Sequence, residues 1–429
     1  MKSTINTTPY WWEDEPPGSG PQSDIIPECD VIIVGAGYTG LSAALTLCRA
    51  GKTVQVFEKD LVGAAASSRN GGITSGSLRP GFVGAAKRFG ESKARAMFLE
   101  AQEARLFLKQ LIDSNKISCD YQLSGLFTGA LTQSAFDEMK AEADIQYRKT
   151  GIETEIISKD LLHRFVGSSN YAGGIANNAI GTIHPAKLVA GLHKVAVNSG
   201  ALVHDKTAVV TVRRNPNGFH IETQRGVCSA AHVIIATNGY GDDSNKWLQQ
   251  RLVPVKSRIV VTEELSPNLV ANLIPSGRAM GERKKLYRYF RPTPDGKRIL
   301  MGSREPPLGN SLERSIEHGR LALTSIFPQL EGVEITHSWS GNVAFSRTNI
   351  PQFFEHEGIH YAVGFCGSGT VWAPWLGNKV AQKILGRPES TSIFESAPPP
   401  KVPFYRGKPW FIPAVIVGYG LQDWFDSKK

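Results

Sequence analysis

Cysteine is scarce and unorganised in this 429-residue chain: Cys29, Cys48, Cys119, Cys228 and Cys366 are odd in number, widely spaced, and form no CxxC pair or His/Cys cluster. That argues against a disulfide framework and against a zinc site, so no metal is expected. An apolar stretch is missing from the start, MKSTINTTPYWWEDEPPGSG, where acidic residues stand in place of a signal peptide's core. Secretion is therefore not expected. No run reaches the roughly 18 apolar residues of a spanning helix. The longest candidate, Trp410 to Leu421, is short and holds Pro413. A reducing cytoplasm is the expected location. Biased tracts are absent too: 41% apolar and 20% charged residues exclude a mainly disordered, collagen-like or coiled-coil protein.

A net charge of +9 leaves nucleic acid, an anionic membrane surface and anionic small ligands open as partners. The cations are spread out, although Gly281 to Arg298 carries Arg283, Lys284, Lys285, Arg288, Arg291, Lys297 and Arg298. A solvated basic face is the plainer reading of that run, and no nucleic acid is expected.

Glycine is abundant, at 43 of 429 residues, about 10% against a usual 7% or so. Residues 1–28 read as an extended arm with Trp11 and Trp12 as anchors. Order begins at Asp30 to Val34, an apolar strand. Gly35, Gly37 and Gly40 follow in GAGYTG spacing, then a helix with Leu41, Ala44, Leu45 and Cys48 at helical period, ended by Gly51. A second strand, Thr53 to Phe57, closes on Glu58. Gly35 permits the tight turn, Gly37 a close approach to a pyrophosphate, and Gly40 close helix–sheet packing, while Glu58 would accept from a ribose diol. The helix N-terminus, with Tyr38 and Thr39 in its first turn, would face the phosphates. The whole unit reads as a dinucleotide site, and NAD and FAD are equally compatible with it.

The segment DVIIVGAGYTGLSAALTLCRAGKTVQVFEKDLVGAAASSRNGG resembles the opening of the D-amino-acid oxidase-like FAD oxidoreductases, and within them the gamma-glutamylputrescine oxidoreductase group. The likeness continues through GTIHPAKLVAGLHKVAVNSG (181–200), HVIIATNGY (232–240) and IHYAVGFCGSGTVWAPWLG (359–377), covering about residues 28–386. It implies an α/β architecture: a Rossmann-like FAD-binding domain of glutathione-reductase type, interleaved with an α+β substrate domain on an antiparallel sheet. The expected division is 29–88, 161–242 and 338–387 for FAD, 89–160 and 243–337 for substrate, and a C-terminal strap, 388–429. By the same resemblance FAD would be held by Gly35, Gly37, Tyr38, Thr39, Gly40, Glu58 and Lys59. Ser67, Ser68, Arg69, Asn70 and Gly71 in the serine-rich loop would join them, with Val209 near the adenine, then Thr237, Asn238 and Gly239, and finally Gly367, Ser368, Gly369 and Thr370. The closing helix after Gly369 would aim its N-terminus at the negative charge of a reduced flavin.

Ala94 to Ile112 has an amphipathic helical pattern, Tyr121 to Ala130 reads as strand, and YRYFRPTP (287–294) would set Tyr287, Tyr289 and Arg291 on one strand face. Those three could wall a pocket, with the Arg291 guanidinium forking a carboxylate; a surface strand with a solvated arginine is the plainer alternative. His184, before Pro185, is a turn residue or a base. The resemblance implies hydride transfer from the carbon beside an amine to flavin, then imine hydrolysis to aldehyde or oxo-acid, with oxygen or another electron acceptor and no dedicated general base. No cysteine lies between Cys228 and Cys366, where sarcosine oxidases attach flavin, and Asn70 replaces the histidine of dimethylglycine dehydrogenase-type relatives. Non-covalent FAD is thus expected. The oxygen-activating and carboxylate-binding lysines of sarcosine oxidases fall near Leu300 and Val371, and Ser368 stands where relatives carry histidine. Two other readings stay open: a tRNA-modifying FAD oxidoreductase, and a non-catalytic flavoprotein subunit. The C-terminal segment could instead meet a partner subunit or membrane surface.

Overall fold

The apolar run before the first glycine turn becomes the middle of a sheet. Glu28–Val34 lies between Val54–Phe57 and Gly226–Ile235, parallel to both, with Ile32 opposite Gln55 on one side and Val233 on the other. A parallel strand covered on both faces has no side for polar residues, which is why DVIIV does not alternate. Leu202–His204 extends this sheet on one side, and Ile359–Val363 and Gln352–His356 on the other. Val209–Asn215 and Gly218–Thr223 add an antiparallel flap to Gly226–Ile235. The computed structural model from which this is drawn describes residues 5–18, 23–307 and 311–427. Two helices lie together on the sheet, Tyr38–Arg49 and Gly369–Ile384; at Gly377 a Cβ would collide with the Thr39 carbonyl, so glycine lets them touch.

A second eight-stranded sheet runs in the order Ile335–Phe345, Val253–Thr262, Ile299–Arg304, Tyr289–Pro292, Ala279–Glu282, Leu126–Ala130, Gly173–Asn177, Glu155–Ile157. It is antiparallel except where Ala279–Glu282 runs parallel to Leu126–Ala130, so the sheet is mixed. Side chains alternate across it. Val260, Phe290 and Met301 point into a core shared with the Leu312–Ile326 helix. Tyr289, Gly302, Ile259 and Trp339 form one lateral row on the other face, toward the first domain.

Strand pairing corrects the expected domain limits. Gly173–Asn177 and the whole of Ile335–Phe345 belong to the second sheet, although the sequence places 161–242 and 338–387 in the first domain. Ile335–Phe345 pairs with Val253–Thr262 along its full length, from Ile335 opposite Thr262 to Phe345 opposite Val253, so no break can fall at 338. The helix expected at Ala94 to Ile112 spans Glu91–Ser114, and the strand expected from Tyr121 starts at Leu126, preceded by a bridge from Gln122 to Thr182.

The two ends differ. Of the arm, residues 1–4 and 19–22 lie outside the described residues, as do 428–429 of the strap. Trp11 is fully buried with Ile259, Val261, Leu300 and Trp339, and its Nε1 donates to the Asn70 carbonyl at 2.9 Å. Trp12 Nε1 donates to Ser68 Oγ at 2.9 Å. Downstream, Phe394 packs on Trp372, and the buried Tyr405 donates to the Leu252 carbonyl at 3.0 Å, as a strap would. Beyond it the Ile412–Asp426 helix buries no residue, and its Asp423 carboxylate accepts from the Lys285 and Leu286 amides. No helix among the described residues is long and apolar enough to cross a membrane.

Candidate active site

The glycine corner is built as a phosphate cradle. Gly35 has φ +106°, its amide donates to the Phe57 carbonyl at 2.8 Å, and a Cβ there would press on the Ala236 carbonyl at 3.2 Å. A Cβ on Gly40 would strike the Gly35 carbonyl oxygen, so only glycine lets the helix begin this close to the turn. On Gly37 it would meet Ser67 Oγ at 2.8 Å, and that hydroxyl accepts from the Tyr38 amide at 3.0 Å, tying the serine-rich loop to the helix start. Tyr38 and Thr39 are buried in that first turn, the Tyr38 hydroxyl donating to the Pro185 carbonyl.

Glu58 Oε2 accepts from the Ala36 amide at 2.9 Å and Oε1 from the Asp60 amide at 3.1 Å; burial pushes its carboxyl up while these amides oppose the shift. Lys59 Nζ reaches the Tyr240 carbonyl at 3.1 Å. Val209 is buried at the start of its strand. Thr237 follows the Gly226–Ile235 strand beside Gly35, and its buried Oγ1 has no protein partner. Asn238 Oδ1 accepts from the Gly364 amide at 2.9 Å, and Gly239 packs on Ala344. A cavity of about 510 Å³ is lined by Lys59, Ala64, Arg69, Tyr240, Gly341 and Asn342. A cradle that Cβ atoms would fill, an orphaned hydroxyl beside it and a cavity edged by Lys59 and Arg69 fit the diphosphate and adenosine of FAD.

The serine-rich loop is the hub. Ser68 Oγ donates to the Gly63 carbonyl at 2.7 Å, and Arg69 Nε to the Ala64 carbonyl at 2.7 Å, with its guanidinium over the Trp12 ring. Asn70 Nδ2 donates to the Ala66 and Ser67 carbonyls, while its Oδ1 accepts from the Gly72 amide at 2.8 Å and from Thr370 Oγ1 at 3.4 Å. Ser75 and Ser368 hydroxyls lie 3.3 Å apart. Gly367 (φ +102°) turns the chain into Gly369–Ile384, whose N-terminus therefore faces the loop. Trp339 Nε1 donates to the Arg69 carbonyl at 2.9 Å, bringing in the second sheet.

Of the proposed pocket residues, Tyr287 and Tyr289 stack at 6.2 Å, and Tyr289 lies across Gly71 and Gly302, where a Cβ at either would collide with its ring. Burial pushes both phenols up, Tyr287 to about 12, so both stay protonated. Arg291 is corrected. Its Nη1 donates to the Gly72 and Ile183 carbonyls at 2.8 and 3.0 Å and, longer, to Gly71, and its Nε to the Pro292 carbonyl. With Nε and Nη1 both committed to backbone behind the loop, the guanidinium has no two-nitrogen fork left for a carboxylate, and it is not a solvated surface group either. Of the two readings of His184, the geometry fits the turn residue: its Nδ1 accepts from the Lys187 amide at 3.2 Å as an N-cap, and its ring packs on Trp11. Burial pushes its imidazole down to about 4. Sequence reasoning missed Trp339, Arg304 and Phe345, which reach this region through strand register, and Arg79, which comes from the turn before the Gly81–Phe89 helix.

The family model described as FAD dependent oxidoreductase matches residues 30–383. The chain is 30% identical over 405 residues to "Gamma-glutamylputrescine oxidoreductase" of Escherichia coli (strain K12), covering 92% of this chain and 93% of that protein. It is 31% identical to "Probable oxidoreductase OrdL" of Haemophilus influenzae, over 89% of this chain and 88% of the relative. Among solved structures, glycine oxidase from Geobacillus kaustophilus superposes with a TM-score of 0.73 at 22% identity, covering 89% of this chain and all of that one, which is a likeness of fold. A family match across most of the chain, on a glycine cradle that fits the cofactor, places this protein in the FAD-dependent oxidoreductase family.

Proposed function

We propose that the chain oxidises a carbon–nitrogen bond in an amine or amino-acid-like substrate, with FAD bound non-covalently. The observation that carries this reading is the convergence of three separated pieces. Asn70 meets Thr370 at the closing helix, and Gly71 lies under Tyr289 of the stacked pair on the second sheet. Held by the glycine corner and the serine-rich loop, FAD would supply a hydride acceptor for the carbon beside the amine nitrogen, and the iminium left on the substrate would be hydrolysed by water to an aldehyde or oxo-acid plus an amine or ammonia. The chain orients and desolvates the substrate. Tyr287 and Tyr289, held protonated, are hydrogen-bond donors rather than bases, and His184 is walled off under Trp11, so the substrate amine must arrive neutral. Amine oxidation is favoured by the relatives' names, gamma-glutamylputrescine oxidoreductase and glycine oxidase. Asn70 and Ser368 offer no group that flavin attachment through histidine or cysteine would need.

The basic run does not favour a tRNA substrate. Arg283 pairs with Glu138 and Glu142, Lys284 and Arg288 with Glu282, and Lys297 and Arg298 with Glu264, while Arg291 is internal. Cations that mostly share carboxylates, with Lys285 the exception among those of the run, make a poor phosphate-tracking groove. Five unpaired cysteines suit the reducing cytoplasm.

The test is anaerobic. Purified yellow protein is mixed with amines, amino acids and gamma-glutamyl amines while the flavin absorbance is followed. At least one class should bleach it, and re-oxidation in air separates oxygen from another acceptor. Flavin that stays oxidised with every class would leave the non-catalytic reading standing instead.

A further inference from the structure

The Ile412–Asp426 helix shows solvent what a surface helix ordinarily hides. Such a helix turns its apolar stripe to the body and its polar face to water. Here Ile412, Ile416 and Asp423 are half-buried, no residue is buried, and the Asp423 carboxylate is a polar tether to the Lys285 and Leu286 amides. The outward side carries Val415, Val417, Tyr419, Leu421, Trp424 and Phe425, from 38% to 59% exposed. The chain leading into the helix continues this surface. Trp410 is 69% exposed, and its Nε1 donates to the Phe404 carbonyl at 3.4 Å. Phe404 itself is 93% exposed and held at φ +56°, a backbone conformation that is strained for a bulky residue. Apolar side chains gathered in one patch, rather than scattered singly, mark a surface that something covers.

The charges around the patch distinguish among covers. Residues 412–422 hold no charged side chain, and the two acids of the helix, Asp423 and Asp426, fall in its last turn. Lys401, Arg406 and Lys408 are exposed ahead of its start, and Lys285 is exposed beside Asp423 at its end. Among the described residues none of these four cations has a carboxylate partner. A second copy laid on this face, parallel or antiparallel, would set cations against cations at both ends. A bilayer with anionic headgroups satisfies both parts at once. The headgroups take the cations, the amphipathic rings of Trp410, Tyr419 and Trp424 lie at their level, and Val415, Val417, Leu421 and Phe425 enter the acyl boundary. Fifteen residues make a rod of about 22 Å, against a hydrocarbon core of about 30 Å, so the helix lies in the surface and does not cross it. We propose that this helix and segment 404–410 seat the protein on an anionic lipid surface. The seat does not depend on which substrate is oxidised.

The test mixes FAD-loaded full-length protein with vesicles of phosphatidylcholine alone, or of phosphatidylcholine and phosphatidylglycerol at about 7:3, and measures the fraction that floats with lipid at low and high salt. Wild type should float with the anionic vesicles, bind the neutral ones about tenfold more weakly, and lose most of that difference at high salt. Val417→Asp combined with Leu421→Asp should weaken anionic-vesicle binding about tenfold or more. Lys401→Gln, Arg406→Gln and Lys408→Gln together should weaken it about fivefold per charge, and leave the neutral vesicles unaffected. All five side chains are exposed, so melting temperature and flavin spectrum should stay those of wild type. Should the aspartate variant fail to fold, Trp410→Ser reads the same contact. Wild type that stays off the anionic vesicles overturns the proposal, as do apolar-face variants that float like wild type. A dimer that Leu421→Asp makes monomeric, with no lipid bound by wild type, overturns it in favour of a second copy.

Discussion

At the residue scale, the glycines of the first corner are not interchangeable. A Cβ at Gly40 meets a backbone carbonyl, which cannot move without dragging the turn, whereas at Gly37 it meets the Ser67 hydroxyl, which can rotate away. Gly40→Ala should therefore lose about 1–3 kcal/mol of stability and purify colourless, while Gly37→Ala should stay folded with weaker FAD binding. Thermal melts and titration of FAD into apoprotein check both, and equal behaviour of the two variants would contradict the argument. Arg291 gives a second case. Arg291→Met strands the Ile183 carbonyl in a buried place, while the Gly72 carbonyl keeps the Ile183 amide as donor, at a cost of roughly 1–3 kcal/mol. Because its guanidinium serves the loop, kcat/KM for carboxylated and uncharged amines should fall together. A selective loss of the carboxylated substrate would restore the fork that the sequence suggested.

At the element scale, the Pro185–Asn198 helix starts on a histidine cap whose burial has a pH signature. The folded imidazole of His184 is pushed from 6.5 down to about 4, mainly by desolvation. Between those values the unfolded chain takes up a proton that the folded chain refuses, so stability falls as pH drops from 6.5 to 4 and then levels off. The loss amounts to about 3 kcal/mol at most. His184→Asn keeps a capping side chain and should shrink the stability difference between pH 7 and pH 4.5 in urea titrations. His360, also pushed down to about 4, leaves a remainder. An unchanged difference would place the acid lability elsewhere. The same helix illustrates what a sequence can disclose. Its His-Pro start and the GAGYTG corner are legible because their backbone demands are met by neighbouring residue types. The Gly71–Tyr289 meeting and the position of Arg304 are not, since both depend on which strand pairs with which and in what register. Arg291 shares a period-two face with Tyr289, as expected, yet the loop crossing above that strand decides that one side chain lies across Gly71 and the other meets a set of carbonyls.

At the scale of the whole molecule, the two sheets are joined at a seam that the N-terminal arm plugs. Trp11 is fully buried, packing on Ile259, Val261, Leu300 and Trp339 of the second sheet and on Ala186 of the first domain's helix. Its indole N–H holds the Asn70 carbonyl, and Asn70 in turn reaches Thr370. One residue from a stretch that reads as a loose arm thus ties both halves to the loop expected to carry FAD. Trp11→Ala should lose about 3–5 kcal/mol through the cavity and the lost packing, and it should also loosen FAD, because the Asn70 carbonyl loses its donor. Since a ligand at 100 times its Kd contributes about 2.7 kcal/mol, added FAD should recover part of the lost Tm in the variant and raise it in wild type. Melts across a series of FAD concentrations separate the two effects. If the variant melts lower but follows the wild-type dependence on FAD, the arm is packing only; a flatter dependence at the same concentrations marks it as part of the cofactor site.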